Sequence, residues 1–344
     1  MNLLSRVSLA ATLAVTAVLP AAAQDLTGAG ATFPTPIYSK WFADYATKTG
    51  VRINYQSIGS GGGIRQLSEQ TVDFGASDAP MSDAELAKAK GGPLMHIPTV
   101  LGAVVVTYNV PELKRPLHLD GTTLASIFLG RITKWNDARI AALNPGTRLP
   151  SMDILVVHRS DGSGTSYVFT DYLTSVSSDW ATKPGKGKEV QWPVGLGGKG
   201  NEGVTGQIKQ LPGSIGYVEL AYAKQNKLAY AEIRNAAGQF VSPTIAAVTL
   251  AAAGAVAKLP ANTDYRVSIV NAQGKGAYPI SSFTWLLVYK TQTDAGKSRK
   301  LTDFVRWALT EGEKSAASLD YAPLPPVMAK ALVKQLSSIT TAAR

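Results

Sequence analysis

The chain has 344 residues, 45% of them hydrophobic and 17% charged, and its formal net charge at neutral pH is +10. This composition is typical of a globular protein and excludes a disordered or low-complexity chain, while the length favours two domains. With no cysteine and three dispersed histidines, the sequence excludes disulfide scaffolds, thiolate metal sites and cysteine nucleophiles, and it disfavours a multi-histidine metal site. We therefore expect neither a metal ion nor a cofactor.

The first 23 residues have the pattern of a secretory signal peptide. Arg6 precedes an apolar stretch over 7–19, and three alanines at 21–23 provide a small-residue cleavage site. This stretch is too short to span a bilayer. Cleavage after Ala23 removes Arg6 and leaves a net charge of +9. Because no cysteine is present for lipid attachment, we expect an exported, unanchored protein in a bacterial periplasm.

Strand-like and helix-like hydrophobic patterns alternate along the rest of the chain. The predicted strands cover 51–57, 72–77, 101–109, 154–158, 215–219 and 281–289. The predicted helices cover 36–49, 64–70, 82–90, 122–129, 136–143, 164–173, 242–259, 299–310 and 326–337. The helix at 82 opens with a Ser-x-x-Glu capping box, and the alanine-rich part over 250–257 is expected to be buried. Repeated βα units predict an α/β protein with mostly parallel strands and ligand-binding loops at the strand ends.

Four loops are rich in glycine and hydroxyl side chains; they cover 28–33, 57–63, 73–78 and 158–166. Three of these loops precede predicted helices, whose N-termini carry partial positive charge. Glycine lets backbone N–H groups face a ligand, and hydroxyl groups add further donors. Each loop taken alone is better explained as a helix cap. Together, if they converge, they predict a site for a small tetrahedral oxyanion.

The loop at 158–166 carries the most specific pattern. Arg159 ends a buried-type strand, and Asp161 follows two residues later, where it can orient the guanidinium group without occupying all of its donors. Ser163, Gly164 and Thr165 begin the next helix and supply backbone and hydroxyl donors. We expect Arg159 to give paired hydrogen bonds to an oxyanion rather than to form a surface ion pair.

Asp78 places a carboxylate next to this predicted anion site. A carboxylate repels a fully ionised anion but accepts a hydrogen bond from an anion that keeps a proton, as phosphate does near neutral pH. Sulfate has no such proton, so Asp78 would discriminate against it. The alternative is that Asp78 only caps the turn at Ala79-Pro80.

Six sequence blocks resemble the periplasmic phosphate-binding protein family of phosphate-specific ABC transporters. They are TGAGATFP (27–34), IGSGGG (58–63), VDFGASDAP (72–80), SDGSGTSYVFTDYL (160–173), WPVGLGGKGNEGV (192–204) and LPGSIGYVELAYAKQN (211–226). The resemblance implies an α/β, two-lobed type II periplasmic-binding-protein fold with a hinge and an interlobe ligand cleft. It further implies that lobe I covers 25–105 plus 279–344 and that lobe II covers 106–278.

The same resemblance implies high-affinity binding of inorganic phosphate and its delivery to the permease subunits and ATPase of an ABC importer, by a monomer. The implied phosphate contacts are Thr32, Phe33 through its backbone N–H, Ser60, Asp78, Arg159, Ser163, Gly164 and Thr165, with Asp161 as the partner of the arginine. These residues all lie in the glycine- and hydroxyl-rich loops that predict the oxyanion site.

Three other functions receive less support. Segment 195–200 matches the dinucleotide pattern G-x-G-x-x-G, but no long apolar strand precedes it, and a helix cap near Asn201 explains it better. Neither Ser60 nor Ser163 lies in G-x-S-x-G, and no acid is placed to orient His158, so we predict that the protein is not an enzyme. The sequence contains no basic stripe interleaved with aromatic residues, which is the pattern that would indicate nucleic-acid binding. A receptor for another tetrahedral oxyanion, such as sulfate or molybdate, remains the alternative.

Overall fold

The computed structural model describes residues 25–257, 259–260 and 263–342; the predicted signal peptide lies outside the described residues. Strands occupy Leu26–Gly30 (β1), Ile53–Ser57 (β2), Phe74–Ser77 (β3), Leu94–Tyr108 (β4), His118–Leu119 (β5), Leu155–Arg159 (β6), Leu196–Gly198 (β7), Ser214–Glu219 (β8), Ala229–Tyr230 (β9), Glu232–Arg234 (β10), Phe240–Val241 (β11), Ser281–Tyr289 (β12), Thr291–Gln292 (β13) and Thr340–Thr341 (β14).

Helices occupy Thr35–Thr49 (α1), Ser60–Ser68 (α2), Asp83–Ala87 (α3), Gly121–Phe128 (α4), Ala138–Leu143 (α5), Gly164–Val176 (α6), Ser178–Thr182 (α7), Gly200–Gln210 (α8), Leu220–Gln225 (α9), Ile245–Val256 (α10), Ala295–Ala308 (α11) and Pro326–Gln335 (α12). Short 3₁₀ segments lie at Gly312–Ser315, Ala317–Leu319 and Leu336–Ser338. None of the helices in the described ranges is long and apolar enough to cross a membrane.

The largest sheet has the strand order β2-β1-β3-β12-β4-β8-β6-β7, with β9 also pairing with β4. Its outer parts are parallel, since β1 pairs with β2 and β3, and β6 pairs with β7 and β8. Its centre is antiparallel, because β12 runs opposite to β3 and β4, and β4 runs opposite to β8. The α/β class is therefore confirmed, whereas the expected mostly parallel sheet is in fact mixed.

Strand β4 connects the two halves of this sheet. Its residues 94–103 pair with β12, and its residues 104–108 pair with β8. Fourteen of its fifteen residues are buried, as are all nine residues of β12. A strand that is covered on both faces is uniformly apolar rather than alternating, which explains the β-branched run seen in the sequence.

Two local predictions were wrong. The glycines at 61–63 were expected in a loop, but they lie inside α2, which begins at Ser60. A Cβ atom at Gly63 would lie 2.4 Å from the Gly30 Cα, so this glycine serves the close packing of α2 on β1, and packing overrides low helix propensity. The alanine-rich part of α10 was expected to be buried, but Leu250 is 49% exposed and only one face of the helix contacts the core.

Candidate anion-binding site

The predicted site residues lie where strands end and helices begin. Thr32 and Phe33 lie between β1 and α1, Ser60 is the first residue of α2, and Asp78 directly follows β3. Arg159 ends β6, Ser163 is the N-cap of α6, and Gly164 and Thr165 form the first turn of that helix. All of them are buried, so the fold brings the predicted residues into one enclosed region.

Contacts join the loops of the two predicted lobes at this region. The Ser60 Oγ accepts hydrogen bonds from the Asp78 N–H at 3.2 Å and from the Gly164 N–H at 3.1 Å. The Gly61 N–H donates to the Gly162 carbonyl at 2.8 Å. A Cβ atom at Gly164 would lie 2.4 Å from the Ser60 Oγ, so this approach requires glycine. These contacts describe a closed arrangement of the loops.

Arg159 is held by Asp161 in the predicted way. Its Nε donates to Asp161 Oδ1 at 2.7 Å and its Nη2 to Oδ2 at 2.6 Å, while Nη1 donates to Thr165 Oγ1 at 3.3 Å. The arginine side chain is 1% exposed. A guanidinium group has five N–H donors, so one hydrogen on each terminal nitrogen has no hydrogen-bond acceptor among the described residues. Arg159 therefore combines a buried positive charge with two available donors.

The charge of Asp161 balances that of Arg159. Burial by itself would raise the pKa of Asp161, but the hydrogen bonds and charge of Arg159, together with a hydrogen bond from the Gly200 N–H, lower this pKa below its usual value. The carboxylate therefore stays ionised at neutral pH, and it fixes the plane of the guanidinium group.

Asp78 is a buried carboxyl that faces the site. Its Oδ1 accepts a hydrogen bond from the Thr284 hydroxyl at 2.9 Å, and its Oδ2 has no partner among the residues described. Burial raises the pKa of Asp78 to about 7, although the Thr284 bond and the charge of Arg159 act in the opposite direction. The nearby turn is held by Ser77, whose Oγ accepts from the Ala79 N–H at 3.1 Å. The alternative that Asp78 caps this turn is therefore wrong.

The partners of two threonine hydroxyls determine whether each hydroxyl can donate a hydrogen bond to a ligand or accept one from it. Thr32 Oγ1 accepts from the Asn201 backbone N–H at 3.2 Å and from Asn201 Nδ2 at 2.7 Å. Thr165 Oγ1 accepts from Asn201 Nδ2 at 3.2 Å and from Arg159 Nη1 at 3.3 Å. A hydroxyl accepts two hydrogen bonds and donates one. Each threonine oxygen is therefore filled as an acceptor, and each keeps its own hydrogen to donate.

Ser60 follows the same rule. Its oxygen accepts two backbone N–H groups, which leaves its hydrogen without an acceptor in the described part of the chain. The Phe33 N–H likewise meets no acceptor there. Together with Arg159, these groups form a set of donors around the single acceptor Asp78.

Two residues of this region were not identified as site residues from the sequence. The expected helix start near Asn201 is confirmed, since α8 begins at Gly200 with Lys199 as its N-cap. The fully buried Asn201 itself contacts the two threonines, which was not predicted. Thr284, in the middle of β12, carries no sequence signal for its contact with Asp78. Asn201 does lie within the WPVGLGGKGNEGV block, which is the signal that could have found it.

The structure also bears on the two enzymatic alternatives. The glycine-rich segment before α8 directs its Gly200 N–H to Asp161 at 3.0 Å, so the group that would hold a pyrophosphate is already bonded to a carboxylate. His158 stacks on Trp192 at 4.7 Å, and its Nδ1 contacts the Arg159 carbonyl at 2.9 Å. No hydrogen bond joins His158 to Ser60 or Ser163, so His158 is not placed to act as a base for either serine.

Known proteins match this chain over most of its length. The model of the PBP superfamily domain matches residues 15–311. The chain is 49% identical over 306 residues to the phosphate-binding protein PstS of Xylella fastidiosa, with 89% of this chain and 83% of the relative covered. It is 47% identical over 321 residues to the phosphate-binding protein PstS of Pasteurella multocida, with 93% and 92% covered.

Solved structures share the fold at lower sequence identity. A high affinity periplasmic phosphate-binding protein bound with phosphate at pH 8.5 is 22% identical, with a TM-score of 0.72 and coverage of 90% of this chain and 93% of that chain. The phosphate-binding protein of Stenotrophomonas maltophilia is also 22% identical, with a TM-score of 0.68 and the same coverage. These likenesses confirm the two-lobed periplasmic-binding-protein fold expected from the sequence. Because the superfamily model spans most of the chain and relatives nearly half identical cover about nine-tenths of it, this chain belongs to the PstS family of phosphate-binding proteins.

Proposed function

We propose that this protein binds inorganic phosphate in the periplasm and delivers it to an ABC-type importer. The observation that carries the proposal is the arrangement of hydrogen-bond donors and acceptors in the site, where several donors and one buried arginine surround a single carboxyl acceptor. A tetrahedral oxyanion offers acceptors in all directions, and only an oxyanion that keeps a proton also offers one donor. Hydrogen phosphate matches this pattern near neutral pH.

Asp78 is the residue that we propose distinguishes phosphate from sulfate. When it is ionised, it accepts the phosphate O–H, but it would face a sulfate oxygen without a hydrogen between them. Because the pKa of Asp78 is raised to about 7, this rejection is complete only above that pH. Sulfate or molybdate binding is therefore the alternative that a pH-resolved measurement addresses.

We propose that the lobes cover 25–105 plus 279–344 and 106–278, and that they close on the ligand. The partner exchange along β4 supports this division, since the strand leaves β12 after residue 103 and pairs with β8 from residue 104. Further support comes from contacts between the two parts near the site, such as the Tyr222 hydroxyl donating to the Thr32 carbonyl at 2.6 Å. A ligand that bridges both lobes stabilises their closed arrangement.

We further propose that the protein acts as a receptor rather than as an enzyme, and as a monomer that meets membrane permease subunits and their ATPase but no nucleic acid. The PstS relatives and the secretory pattern of residues 1–23 support export to the periplasm. Among the residues the structure covers, no histidine is bonded to the site's serines, which supports binding without turnover.

Calorimetric titration of the ligand-stripped mature protein with phosphate and with sulfate, at pH 6 and pH 8.5, tests the proposal. We expect tight phosphate binding at both pH values and no sulfate binding at pH 8.5. Sulfate binding equal to phosphate at pH 8.5 would make the protein a general oxyanion receptor. Failure to bind either anion would overturn the proposed function.

A further inference from the structure

We propose that Asn201 is a positioning residue that makes Thr32 and Thr165 donors and thereby sets the selectivity of the site for oxyanions. The inference rests on the proposed function and extends it to a residue that contacts no ligand in the proposed scheme. Asn201 acts through the two threonine hydroxyls, which it contacts from α8.

The contacts of Asn201 leave it one role. Its Nδ2 has two hydrogens and no lone pair to offer, and it reaches Thr32 Oγ1 at 2.7 Å and Thr165 Oγ1 at 3.2 Å. Both threonines must therefore accept from it. The second donor to each threonine is also an N–H group, the Asn201 backbone for Thr32 and the Arg159 guanidinium for Thr165. Neither oxygen has a lone pair left for a ligand hydrogen.

The orientation of the Asn201 amide is fixed independently of the threonines. Its Oδ1 accepts a hydrogen bond from the Glu219 backbone N–H at 2.9 Å. A backbone N–H can only donate, so the reversed amide would place two donors against each other. Asn201 is completely buried, so no solvent compensates such a reversal. Glu219 thus determines which end of Asn201 faces the threonines.

Asn201 also joins the two parts of the molecule. Thr32 lies in the proposed lobe I, whereas Thr165 and Asn201 lie in the proposed lobe II. Separation of the lobes would remove both Asn201 donors from Thr32 and leave its hydroxyl free to rotate. The donor character of Thr32 is therefore a property of the closed arrangement, and Asn201 couples closure to the choice of ligand.

The substitution Asn201→Asp tests this polarity with little change in shape. The introduced carboxylate keeps an acceptor for the Glu219 N–H but offers the threonines an acceptor where Asn201 offers a donor. Their hydrogens then turn away from the ligand. We expect phosphate affinity to fall by at least about 100-fold, since two hydrogen bonds reverse and a negative charge is added. Asn235→Asp is the matched control, because Asn235 is also buried and also accepts backbone N–H groups, at 3.0 Å from Ala237 and Gln239, away from the site.

A double-mutant cycle separates positioning from a merely structural role. Asn201→Leu removes the donors without adding charge, and Thr32→Val with Thr165→Val removes the hydroxyls. If Asn201 acts through these hydroxyls, Asn201→Leu weakens phosphate binding about 10-fold or more in the wild-type background and less than about threefold in the double-valine background. Equal losses in both backgrounds would overturn the inference. If the leucine variant fails to fold by circular dichroism, Asn201→Asp takes its place in the same cycle.

The same titrations separate this inference from the proposed function. Absence of phosphate binding by the wild-type protein would overturn both. Tight binding by the wild-type protein, together with unchanged affinity in Asn201→Asp, would overturn only the role of Asn201. Loss of affinity in Asn235→Asp as large as in Asn201→Asp would also overturn it, because a buried carboxylate anywhere in the proposed lobe II would then have the same effect.

Discussion

Removal of the Arg159 side chain is the perturbation with the largest expected effect on binding. The guanidinium group is 1% exposed, is fixed by two hydrogen bonds to Asp161, and keeps two N–H donors that have no acceptor in the described part of the chain. Arg159→Ala deletes these donors and the positive charge that balances Asp161. The ligand then meets the Asp161 carboxylate without its partner, so repulsion adds to the loss of hydrogen bonds.

The magnitude follows from the number of donors. A hydrogen bond to a charged group contributes about 1.5–3 kcal/mol, so two of them contribute about 3–6 kcal/mol. Because about 1.4 kcal/mol corresponds to a factor of ten, phosphate affinity should fall by roughly 10²- to 10⁴-fold. Breaking a buried ion pair also costs about 3 kcal/mol or more of folding free energy. Thermal unfolding of the variant must therefore accompany the titration.

The chain offers a closely matched control in Arg139. This arginine donates through Nε and Nη2 to the two oxygens of Asp137, at 3.0 and 3.1 Å, so the same atoms form the same paired contact. Its side chain, however, is 49% exposed. Surface ion pairs contribute about 0–1 kcal/mol, so Arg139→Ala should change neither phosphate affinity nor the free energy of unfolding by more than that.

Isothermal titration of both variants with phosphate at pH 8 decides the question. We expect no measurable heat for Arg159→Ala at concentrations that saturate the wild-type protein and Arg139→Ala. Arg159→Lys keeps a charge but not the paired donors, and its affinity should lie between the two. A folded Arg159→Ala variant that binds phosphate within threefold of wild type would refute the assignment of Arg159 to the site.

Three further predictions concern the carboxyl, the closure and the rim of the site. The pKa of Asp78 is raised to about 7, so the ligand-free fold loses a few kcal/mol of unfolding free energy as the pH rises from about 4 to 7. Asp78→Asn should therefore be more stable than wild type in urea unfolding at pH 8 but not at pH 4, and it should also bind sulfate at pH 8.5. An equal difference in stability at both pH values would contradict this. Gly164→Ala places a Cβ 2.4 Å from the Ser60 Oγ. Overpacking of about 1–3 kcal/mol should weaken phosphate binding about 5- to 150-fold in calorimetry. The control Gly206→Ala, whose Cβ meets no atom within 4 Å, should bind phosphate as wild type does. Lys188 pairs with Glu85 across the proposed lobes at 2.7 Å. Lys188→Ala should therefore raise the dissociation rate of phosphate, measured by stopped flow, up to about fivefold. A slower rate would show that the pair does not hold the lobes together.

Local patterns predicted most elements because their hydrophobic periodicity is short-ranged. The strand over 281–289 was predicted at the bounds that β12 has, and α6 begins at the predicted residue. Strand β4, in contrast, begins at Leu94 rather than at 101. Its first part contains Pro98, which lacks an N–H and argues against a central strand. The register shift between Thr284 and Trp285, opposite Pro98, shows how the sheet accommodates that residue.

The mixed sheet could not be read from βα alternation. Alternation indicates parallel neighbours only when consecutive strands pair, and here β4 lies between β12 and β8, which come much later in the chain. The order of strands is decided by which apolar faces pack together, and a single sequence does not encode that as a local signal. The antiparallel centre is therefore a tertiary property.

The site, like the sheet, has features that the sequence predicts and features that only the tertiary structure determines. Loop composition and the family resemblance identified the positions that the fold brings together, because glycine, hydroxyl and arginine residues are visible one at a time. A hydroxyl, however, can donate or accept, and its type says nothing about which it does. That choice depends on partners such as Asn201, which lies 169 positions from Thr32 and 36 from Thr165.

In the proposed two-lobed arrangement, recognition and closure of the loops are therefore coupled. Ser60 receives one of its two N–H groups from Gly164, and Thr32 receives both of its own from Asn201, so each hydroxyl becomes an obligatory donor only when the two parts meet. Before closure the same hydroxyls can present lone pairs to water or to a cation. Closing the loops converts two ambiguous groups into donors, and it does so around the one carboxyl that requires a donor from the ligand. An anion without a proton satisfies the hydroxyls but not Asp78, and a neutral polyol satisfies Asp78 but gives the two remaining N–H donors of Arg159, whose charge is paired with Asp161, no anionic acceptor.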